Sequence, residues 1–524
     1  MIFGFSYATS SVFDSDRERA LLGISANAKR PVRLHARVTR EIFTLRTALR
    51  ALGEAIWSQD SWMSREEYLS SVLDPIITVH PDRVMFEAFT GDQGAYVALH
   101  VDRELFEVEG EVITGTTNVD FSAWLWAALA DMRSSRETWL RIGAEGFEVR
   151  TANSGGRFEK KVDVPDAWVR GFLQTQGAMA MSGTQLTVRP VDLLSAIRWL
   201  RYTKAKVSPR AMRYVFEPGR EPRLVLEPWE HSVVLKGATH HYTGPRIIRV
   251  WGRRKLKLIE PLLPFAEQVD VYLKGRSMPS FYAVRLPGMT FVLGIGGAAE
   301  GFRDTASFEL LGSTRQVEAA GLDQVMTVLA ERFSVTPKYI AEACGMSLET
   351  AQAVLEKLCR LGRAMFDVQS RRFRLRELFE QPIDEARLYP PDARIEKAEA
   401  ILAAGAASVV SCAPEETRKV KTLKTLEGKI EREVVYRDWR VIGAAGEQKE
   451  VELVVNDNGR LIFGRCGCSF FKQHLLARGP CEHLLALFRF SDAVRGDLPS
   501  SNAVHSSKSQ TGDEADIDEE DEDA

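Results

Sequence analysis

Four residues near the C-terminal end of the chain have the types and the spacing of a metal site. Cys466, Cys468, Cys481 and His483 form a C-x-C pair, a gap of twelve residues and a C-x-H pair. Three thiolates and one imidazole are a common tetrahedral ligand set for structural zinc, and four protein ligands leave no position open for water. The spacing therefore predicts one structural zinc ion, with four unrelated buried residues as the alternative. His474, between the two pairs, is expected to be a surface residue.

Two strands and a helix must position these ligands. Residues 451–455 and 460–464 flank a turn and have the composition of strands, and the second leads to the first cysteine pair. Pro480 favours a helix start, which places Cys481 and His483 in the first turn, where the helix dipole stabilises a thiolate. The buried face of that helix is expected to contain Leu484, Leu487 and Phe488. The sequence predicts a small β-β-α zinc finger.

The surroundings of the ligands resemble a SWIM zinc finger. The resemblance rests on the ligand spacing, on Phe470 and Phe471 after the second cysteine, and on Gly479-Pro480 before the third; it covers residues 435–492, little more than a tenth of the chain. It implies that the zinc ligands are Cys466, Cys468, Cys481 and His483, and that the finger binds DNA or a protein. Members occur with transposases, helicase-type ATPases, recombination partners and ubiquitin-related proteins, so the resemblance does not name a pathway.

Residues 322–378 have the element order of a winged helix-turn-helix domain, and they resemble that family. Residues 322–333 predict a first helix, Thr336-Pro337 caps a second, Gly345 ends it and Ser347 caps a third. Two short strands separated by QSRR close the segment as a hairpin, the wing. The buried face of the third helix is predicted to contain Leu348, Ala351, Leu355 and Leu358.

Basic and polar side chains outside these buried faces are candidate nucleic-acid contacts. Contacts to phosphates would give binding that depends on salt and is largely independent of sequence. The candidates on the third helix, on the wing and in the stretch from Arg418 to Arg440 are Gln352, Lys357, Arg360, Arg371, Arg372, Arg374, Lys419, Lys421 and Lys424. A solvated strand face, or a winged helix that docks a protein, is the alternative in each place.

One further stretch combines basic residues with an aromatic residue. Residues 245–257, PRIIRVWGRRKLK, hold six basic residues and no acidic one, with Trp251 among them. Such mixtures occur where single-stranded nucleic acids stack. The alternative is structural core with charged turns.

Composition places the chain among soluble, multidomain proteins. It has 524 residues, 45% of them hydrophobic and 27% charged, enough for roughly three to five domains with real cores. The sequence has neither a long apolar run nor the basic start of a secretory signal, so we expect a cytoplasmic protein that does not enter the membrane. Residues 511–524 hold nine carboxylates and no Lys or Arg, which predicts a disordered acidic tail.

The predicted fold class is α+β, in several domains. A helix followed by a hairpin occurs at 121–150 and again at 191–228, either as a duplication or by chance; in outline this resembles the repeating units of sliding clamps, but no motif of that family accompanies it. In chain order we predict an α+β domain (1–110), a strand-rich α+β domain (111–320), a winged helix-like domain (322–378), a helical and basic connector (379–432), the zinc finger domain (433–495) and the acidic tail (496–524).

Together these patterns predict a zinc-binding, non-enzymatic protein that engages DNA through its winged helix and its finger. We find no G-x-x-x-x-G-K-[ST], G-x-S-x-G or H-E-x-x-H motif. One alternative is a zinc-stabilised adaptor that docks a partner protein such as an ATPase. A second is an enzyme with its site in residues 1–320, which a cleft with convergent polar side chains there would favour.

Overall fold

The computed structural model describes residues 2–57, 75–144, 158–163, 166–203, 211–275, 278–296, 317–379, 392–425, 428–456, 461–476 and 478–496. These residues form a mixed α+β structure with several sheets, which confirms the predicted fold class at this level. None of the helices in these ranges is both long enough and apolar enough to cross a membrane. The acidic tail lies outside the described residues.

The chain divides into two compact units. The first contains residues 1–306, 327–335 and 358–388, and the second contains residues 307–326, 336–357 and 389–524. The predicted winged helix segment is shared between them, because its wing strands belong to the first unit and most of its helical residues to the second.

The first unit is built mainly from strands. Its strands up to residue 295 are β1 (Ile2–Tyr7), β2 (Val12–Ser15), β3 (Arg19–Ser25), β4 (Leu34–Val38), β5 (Ile76–Val79), β6 (Arg83–Phe89), β7 (Ala95–Asp102), β8 (Phe106–Val108), β9 (Gly115–Asn118), β10 (Glu137–Gly143), β11 (Phe158–Asp163), β12 (Thr184–Val188), β13 (Met212–Phe216), β14 (Arg223–Leu226), β15 (His231–Val234), β16 (Arg246–Val250), β17 (Gln268–Leu273), β18 (Ser280–Leu286) and β19 (Met289–Ile295). Its helices are α1 (Ile42–Trp57), α2 (Ala123–Ala128), α3 (Asp166–Ala180) and α4 (Pro190–Tyr202).

An eight-stranded sheet forms the centre of this unit. Its strand order is β12-β17-β18-β19-β7-β6-β5-β9, and smaller sheets have the orders β2-β3-β10-β4-β8, β15-β14-β13-β16 and β1-β11. Every residue of β19 is buried. Its mainly apolar sequence, without alternation of polar and apolar residues, is typical of a strand that is covered on both faces. Helix α1 packs against β6 and β7 with its apolar face.

Two predicted features of the N-terminal half do not correspond to the structure. The boundary between residues 110 and 111 separates nothing, because strands from both sides, such as β7 and β19, pair in one sheet. Of the two helix-hairpin pairs, the second is present as α4 with β13 and β14. In the first, β10 instead pairs with β3 and β4, and residues 145–150 lie outside the described ranges.

The elements of residues 319–375 follow the predicted order. They are α5 (Ala319–Arg332), β20 (Ser334–Val335), α6 (Pro337–Cys344), α7 (Leu348–Arg360), β21 (Ala364–Asp367) and β22 (Arg372–Leu375). Thr336 caps α6 through its side chain, Gly345 ends it with a φ of 64°, and Ser347 accepts the N–H of Thr350 at 3.1 Å. Ala351, Leu355 and Leu358 are buried as predicted, whereas Leu348 is 43% exposed.

The second unit ends in a four-stranded sheet with three helices. They are α8 (Ala393–Ala403), β23 (Ala407–Thr425), β24 (Gly428–Ala445), β25 (Gln448–Val455), β26 (Leu461–Arg465), α9 (Ser469–His474) and α10 (Glu482–Gly496). The sheet order is β23-β24-β25-β26. Among its described residues, the predicted helical connector, residues 379–432, is therefore helical only in α8, and its boundary with the finger falls inside β24. The alternation of Lys, Val, Thr and Leu after residue 417 favours a strand instead.

Candidate metal centre

The three cysteines and the histidine predicted as ligands lie together in the second unit. One ligand atom from each of Cys466, Cys468, Cys481 and His483 lies within 4.8 Å of the others, and all four residues are buried. Tetrahedral zinc with Zn–S bonds of about 2.3 Å places two sulfurs about 3.8 Å apart. The cluster has this scale, so these residues could hold a metal ion.

Three chain elements bring the ligands together. β26 ends one residue before Cys466, Cys468 is the N-cap of α9, and Cys481 precedes α10. The backbone N–H of Leu485 bonds the carbonyl of Cys481 at 2.9 Å, which starts the helix there. On the other side of α10, Leu484, Leu487 and Phe488 are buried as predicted and fix the helix against the sheet.

Backbone N–H groups support the thiolates. The N–H of Phe471 donates to Cys468 Sγ at 3.4 Å, and the N–H of Leu484 bonds the Cys481 thiol. A hydrogen bond from Cys481, together with His483, lowers the pKa of Cys466 to about 4. Thiols close enough to share protons in this way are close enough to share a cation, and thiolates are the form that binds metal.

His483 completes the set from the first turn of α10. It is 5% exposed, and its Nδ1 is buried without a hydrogen-bond partner among the described residues. Gly446 lies beside the ring in the β24–β25 turn, where its φ of 56° is one that favours glycine. A buried ring nitrogen without a partner is costly, and this orphaned atom fits a metal site. His474, partly buried at the end of α9 against the Phe470 ring, is not in the cluster.

Arg394, which the sequence gave no reason to single out, positions the loop before Cys481. It lies in α8, and its Nη1 donates to the carbonyls of Arg478 (2.7 Å) and Pro480 (3.1 Å). Its guanidinium also lies 4.8 Å from the Phe470 ring centroid, and Asp392 holds its other side. One side chain thus ties α8 to both segments that carry the cysteines.

The three arginines of the wing that were predicted to contact nucleic acid differ in exposure. Arg374 is 3% exposed; its Nε donates to Asp367 at 3.0 Å and its Nη1 to Asp82 at 2.8 Å. A phosphate contact by Arg374 would require these ion pairs to break, so it is withdrawn as a nucleic-acid contact. Arg372 is partly exposed and bonds Ser334, whereas Arg371 is exposed in the wing turn with a φ of 54°.

Helix α7, the predicted third helix of the winged helix segment, exposes fewer polar side chains to solvent than the sequence suggested. Gln352 is 4% exposed and donates to Glu356 at 2.8 Å, so it too is withdrawn as a groove contact. Lys357 and Arg360 are partly exposed. The apolar spacing of α7 predicts only one buried face, whereas the residues from Ala351 to Leu355 are all buried.

The remaining candidates lie in β23. Lys419, Lys421 and Lys424 pair in register with Val434, Arg432 and Lys429 of β24. Arg440, at the base of the same pair of strands, forms ion pairs with Glu415 and Glu452, both at 2.5 Å.

No protein-family profile matches the sequence, and no curated protein matches it. Among solved structures, the chain is similar to the proliferating cellular nuclear antigen from Entamoeba histolytica, with a TM-score of 0.31 and 9% sequence identity over 50% of this chain and 97% of that chain. A TM-score of this size does not define a shared fold.

Proposed function

We propose that this is a non-enzymatic, zinc-dependent nucleic-acid-binding protein whose C-terminal unit contains a SWIM-type zinc finger. The observation that carries the proposal is the buried Cys466, Cys468, Cys481 and His483 cluster, with its ligand atoms within 4.8 Å of one another. Soft thiolates with one imidazole select zinc over the hard cations magnesium and calcium. With four protein ligands the ion has a structural role.

The elements that carry the ligands suit a structural zinc ion. β26, α9 and α10 each supply ligands at or next to one of their ends, so a bound ion cross-links three elements of the chain. Zinc binding by such a unit supplies folding free energy on the order of 10 kcal/mol. Arg394 and the backbone donors to the sulfurs hold the ligands in place.

The nucleic-acid surface that we propose is the arm formed by β23 and β24 beyond the reach of β25. The two strands pair from Ala407 with Ala445 to Thr425 with Gly428, but β25 pairs with β24 only from Trp439 onward. We call residues 417–432, with six basic and two acidic residues, the basic arm. From Thr417 to Thr425 the first strand of the arm has four basic residues and no acidic one.

The register groups these charges. Lys421 pairs with Arg432, and Lys419 is two residues from Lys421, so all three positions fall on one face of the arm. Lys424 pairs with Lys429 near the tip. A two-stranded ribbon with this charge suits contact with a phosphate backbone, largely without regard to sequence.

The test is a salt titration of the purified full chain against a fluorescent duplex, zinc-loaded and chelated. The zinc-loaded protein should bind with an affinity that falls steeply as salt rises, and chelation should abolish that binding. Lys421→Glu with Arg432→Glu should weaken binding at least tenfold and reduce the salt slope by about 0.9 for each lost phosphate contact.

The matched control reverses two exposed charges in the same unit. Lys397 lies on α8 and Lys449 near the start of β25, at the end of the sheet opposite the arm tip. Lys397→Glu with Lys449→Glu should leave the slope nearly unchanged. If the zinc-loaded protein fails to bind duplex even at low salt, the proposal is wrong and the docking adaptor becomes the better account.

A further inference from the structure

The first unit contains an open cleft of about 1240 Å³ with a strongly cationic lining. Its walls come mainly from α1, from α4 and from the 3-10 helical segments that follow β16, and α2 and the turn between β14 and β15 each add a tryptophan. Seven of the lining side chains are cationic and two are carboxylates: Arg46, Arg50, Arg198, Arg201, Arg253, Arg254 and Lys257 against Glu54 and Glu260. Of the basic stretch 245–257, Arg253, Arg254 and Lys257 line the cleft, whereas Trp251 does not.

Three of these cations are held by the protein itself. Arg253 is 8% exposed, bonds the carbonyl of Glu227 and lies 4.9 Å from the Trp229 ring centroid. Arg46 donates to the carbonyl of Met132 at 3.0 Å, and Arg201 pairs with Glu260 at 3.2 Å.

The other four have no such partner. Arg50, Arg198, Arg254 and Lys257 make no side-chain hydrogen bond or ion pair to any part of the chain that the structure describes. Four like charges around one cleft repel one another, and a ligand with several negative charges would relieve that repulsion.

Two tryptophans give the cleft an aromatic component. Trp126 donates its indole N–H to the carbonyl of Arg50 at 3.1 Å and lies against Gly53, where any Cβ would collide with the ring. Trp229 packs edge-on against Trp199 at 4.7 Å. Both rings are partly exposed in the cleft. Cations beside aromatic rings are the combination that binds the backbone and the bases of a single strand.

The lining does not have the groups of a catalytic centre. The lining residues that the structure describes include no His, Cys or Ser, and their two threonine hydroxyls donate to helix carbonyls: Thr47 to Phe43 at 2.8 Å and Thr203 to Trp199 at 2.7 Å. Among these described residues no nucleophile has a neighbouring base. The cleft is suited to recognition, even though convergent polar groups in this half were the feature that would favour an enzyme.

We propose that this cleft binds a segment of single-stranded nucleic acid, with phosphates at Arg50, Arg198, Arg254 and Lys257 and bases against Trp126 and Trp229. The volume exceeds the range of about 300 to 1000 Å³ that is usual for a small-molecule site, which favours a strand over a free nucleotide. The inference extends the proposed function to a second site and shares with it only the class of ligand.

The test measures binding of a fluorescent dT20 strand to the full chain. Arg198→Glu with Lys257→Glu should weaken binding at least tenfold and reduce the salt slope by about 0.7 for each lost contact. The control, Arg17→Glu with Lys236→Glu, reverses two exposed cations of the same unit outside the cleft and should bind like the wild type. Wild-type affinity in the cleft variant would overturn the inference.

Two further experiments distinguish a single strand from other anionic ligands and distinguish the cleft from the basic arm. Free dTMP and an acidic peptide of matched charge should compete at least a hundredfold more weakly than dT20; competition equal to that of dT20 would refute a strand site. Cys481→Ala, which removes a zinc ligand from the other unit, should abolish duplex binding and leave dT20 binding at the cleft intact. If chelation removes duplex binding but not dT20 binding, the result supports the basic arm. If the cleft variant loses dT20 binding, the result supports the cleft.

A strand carrying 5-iodouracil gives a readout that needs no variant. Irradiation should cross-link it to peptides that contain Trp126 or Trp229. Cross-links confined to residues 407–445 would contradict the cleft.

Discussion

The Cys466–His483 cluster and the wing both gather buried polar side chains, but they differ in how those groups are satisfied. In the wing, Asp367 is fully buried and accepts from Arg83 at 3.1 Å and from Arg374 at 3.0 Å, so each charge has an opposite charge beside it. In the cluster, the thiols face one another and His483 Nδ1 has no partner in the described chain. Burial alone therefore does not mark a ligand site. The buried groups of the wing are neutralised by opposite charges, whereas the cluster gathers three thiols that hydrogen-bond one another and a ring nitrogen without a partner among the described residues.

The largest expected effect is the loss of bound zinc when a ligand of the cluster is removed. Cys481→Ala should reduce bound zinc from one per chain to none, because three remaining ligands in an unfolded loop cannot replace a closed tetrahedral site. Metal analysis after gel filtration measures this. His474→Ala is the control and should keep one zinc; one bound zinc in the Cys481→Ala protein would refute the ligand assignment.

The next largest effect is a loss of stability when the buried carboxylate of the wing is removed. Asp367→Ala leaves Arg374 and Arg83 buried with one carboxylate fewer, which should cost about 3–5 kcal/mol of the free energy of unfolding, measured in urea. Asp102→Asn removes an exposed partner of Arg83 at 3.6 Å and should cost less than about 1 kcal/mol. Both variants should keep their zinc, and a zinc-free Asp367→Ala protein would show that the two regions are not independent.

A smaller effect concerns the support of the cluster. Arg394→Ala removes the bonds to the loop before Cys481 and should weaken zinc affinity about 10- to 100-fold, as is usual when groups that orient metal ligands are lost. Competition with a chelator of known affinity measures it. Lys397→Ala, one turn further along the same helix, should have the affinity of the wild type, and equal affinities in both variants would remove Arg394 from the account.

The smallest effect depends on pH. Burial lowers the pKa of His100 from 6.5 to about 4, although Asp367 opposes the shift, while Arg83 and Arg374 reinforce it. Between these pH values the unfolded chain takes up a proton that the folded chain does not, so the folded state loses stability as pH falls from 6.5 towards 4. In His100→Phe, Tm should therefore fall less over this range, by a few degrees. Parallel Tm curves for the two proteins would contradict the assignment; zinc release affects both equally and cancels.

The parts of the fold that the sequence predicted are those determined locally. Thr336, Gly345 and Ser347 set the ends of α6 and α7 as expected, and the C-x-C and C-x-H pairs located the cluster because all four ligands lie within eighteen residues. Local chemistry is sufficient in both cases.

Long-range pairing explains what the sequence did not reveal. Arg374 was expected to face solvent; of its two carboxylate partners, Asp367 is on the facing wing strand, but Asp82 is almost three hundred residues away. Arg394 is distant from the cysteines in sequence, and its contacts are to backbone carbonyls, which leave no trace in residue type. The cations of the cleft come from α1, α4 and the segment after β16, so its charge is visible only once these segments lie side by side.

The most direct test of the central claim is X-ray absorption of the zinc-loaded full chain at the zinc edge. We expect one zinc with three sulfur ligands at about 2.3 Å and one nitrogen at about 2.0 Å. A first shell dominated by oxygen or nitrogen, or a chain that retains no zinc after gel filtration, would contradict it.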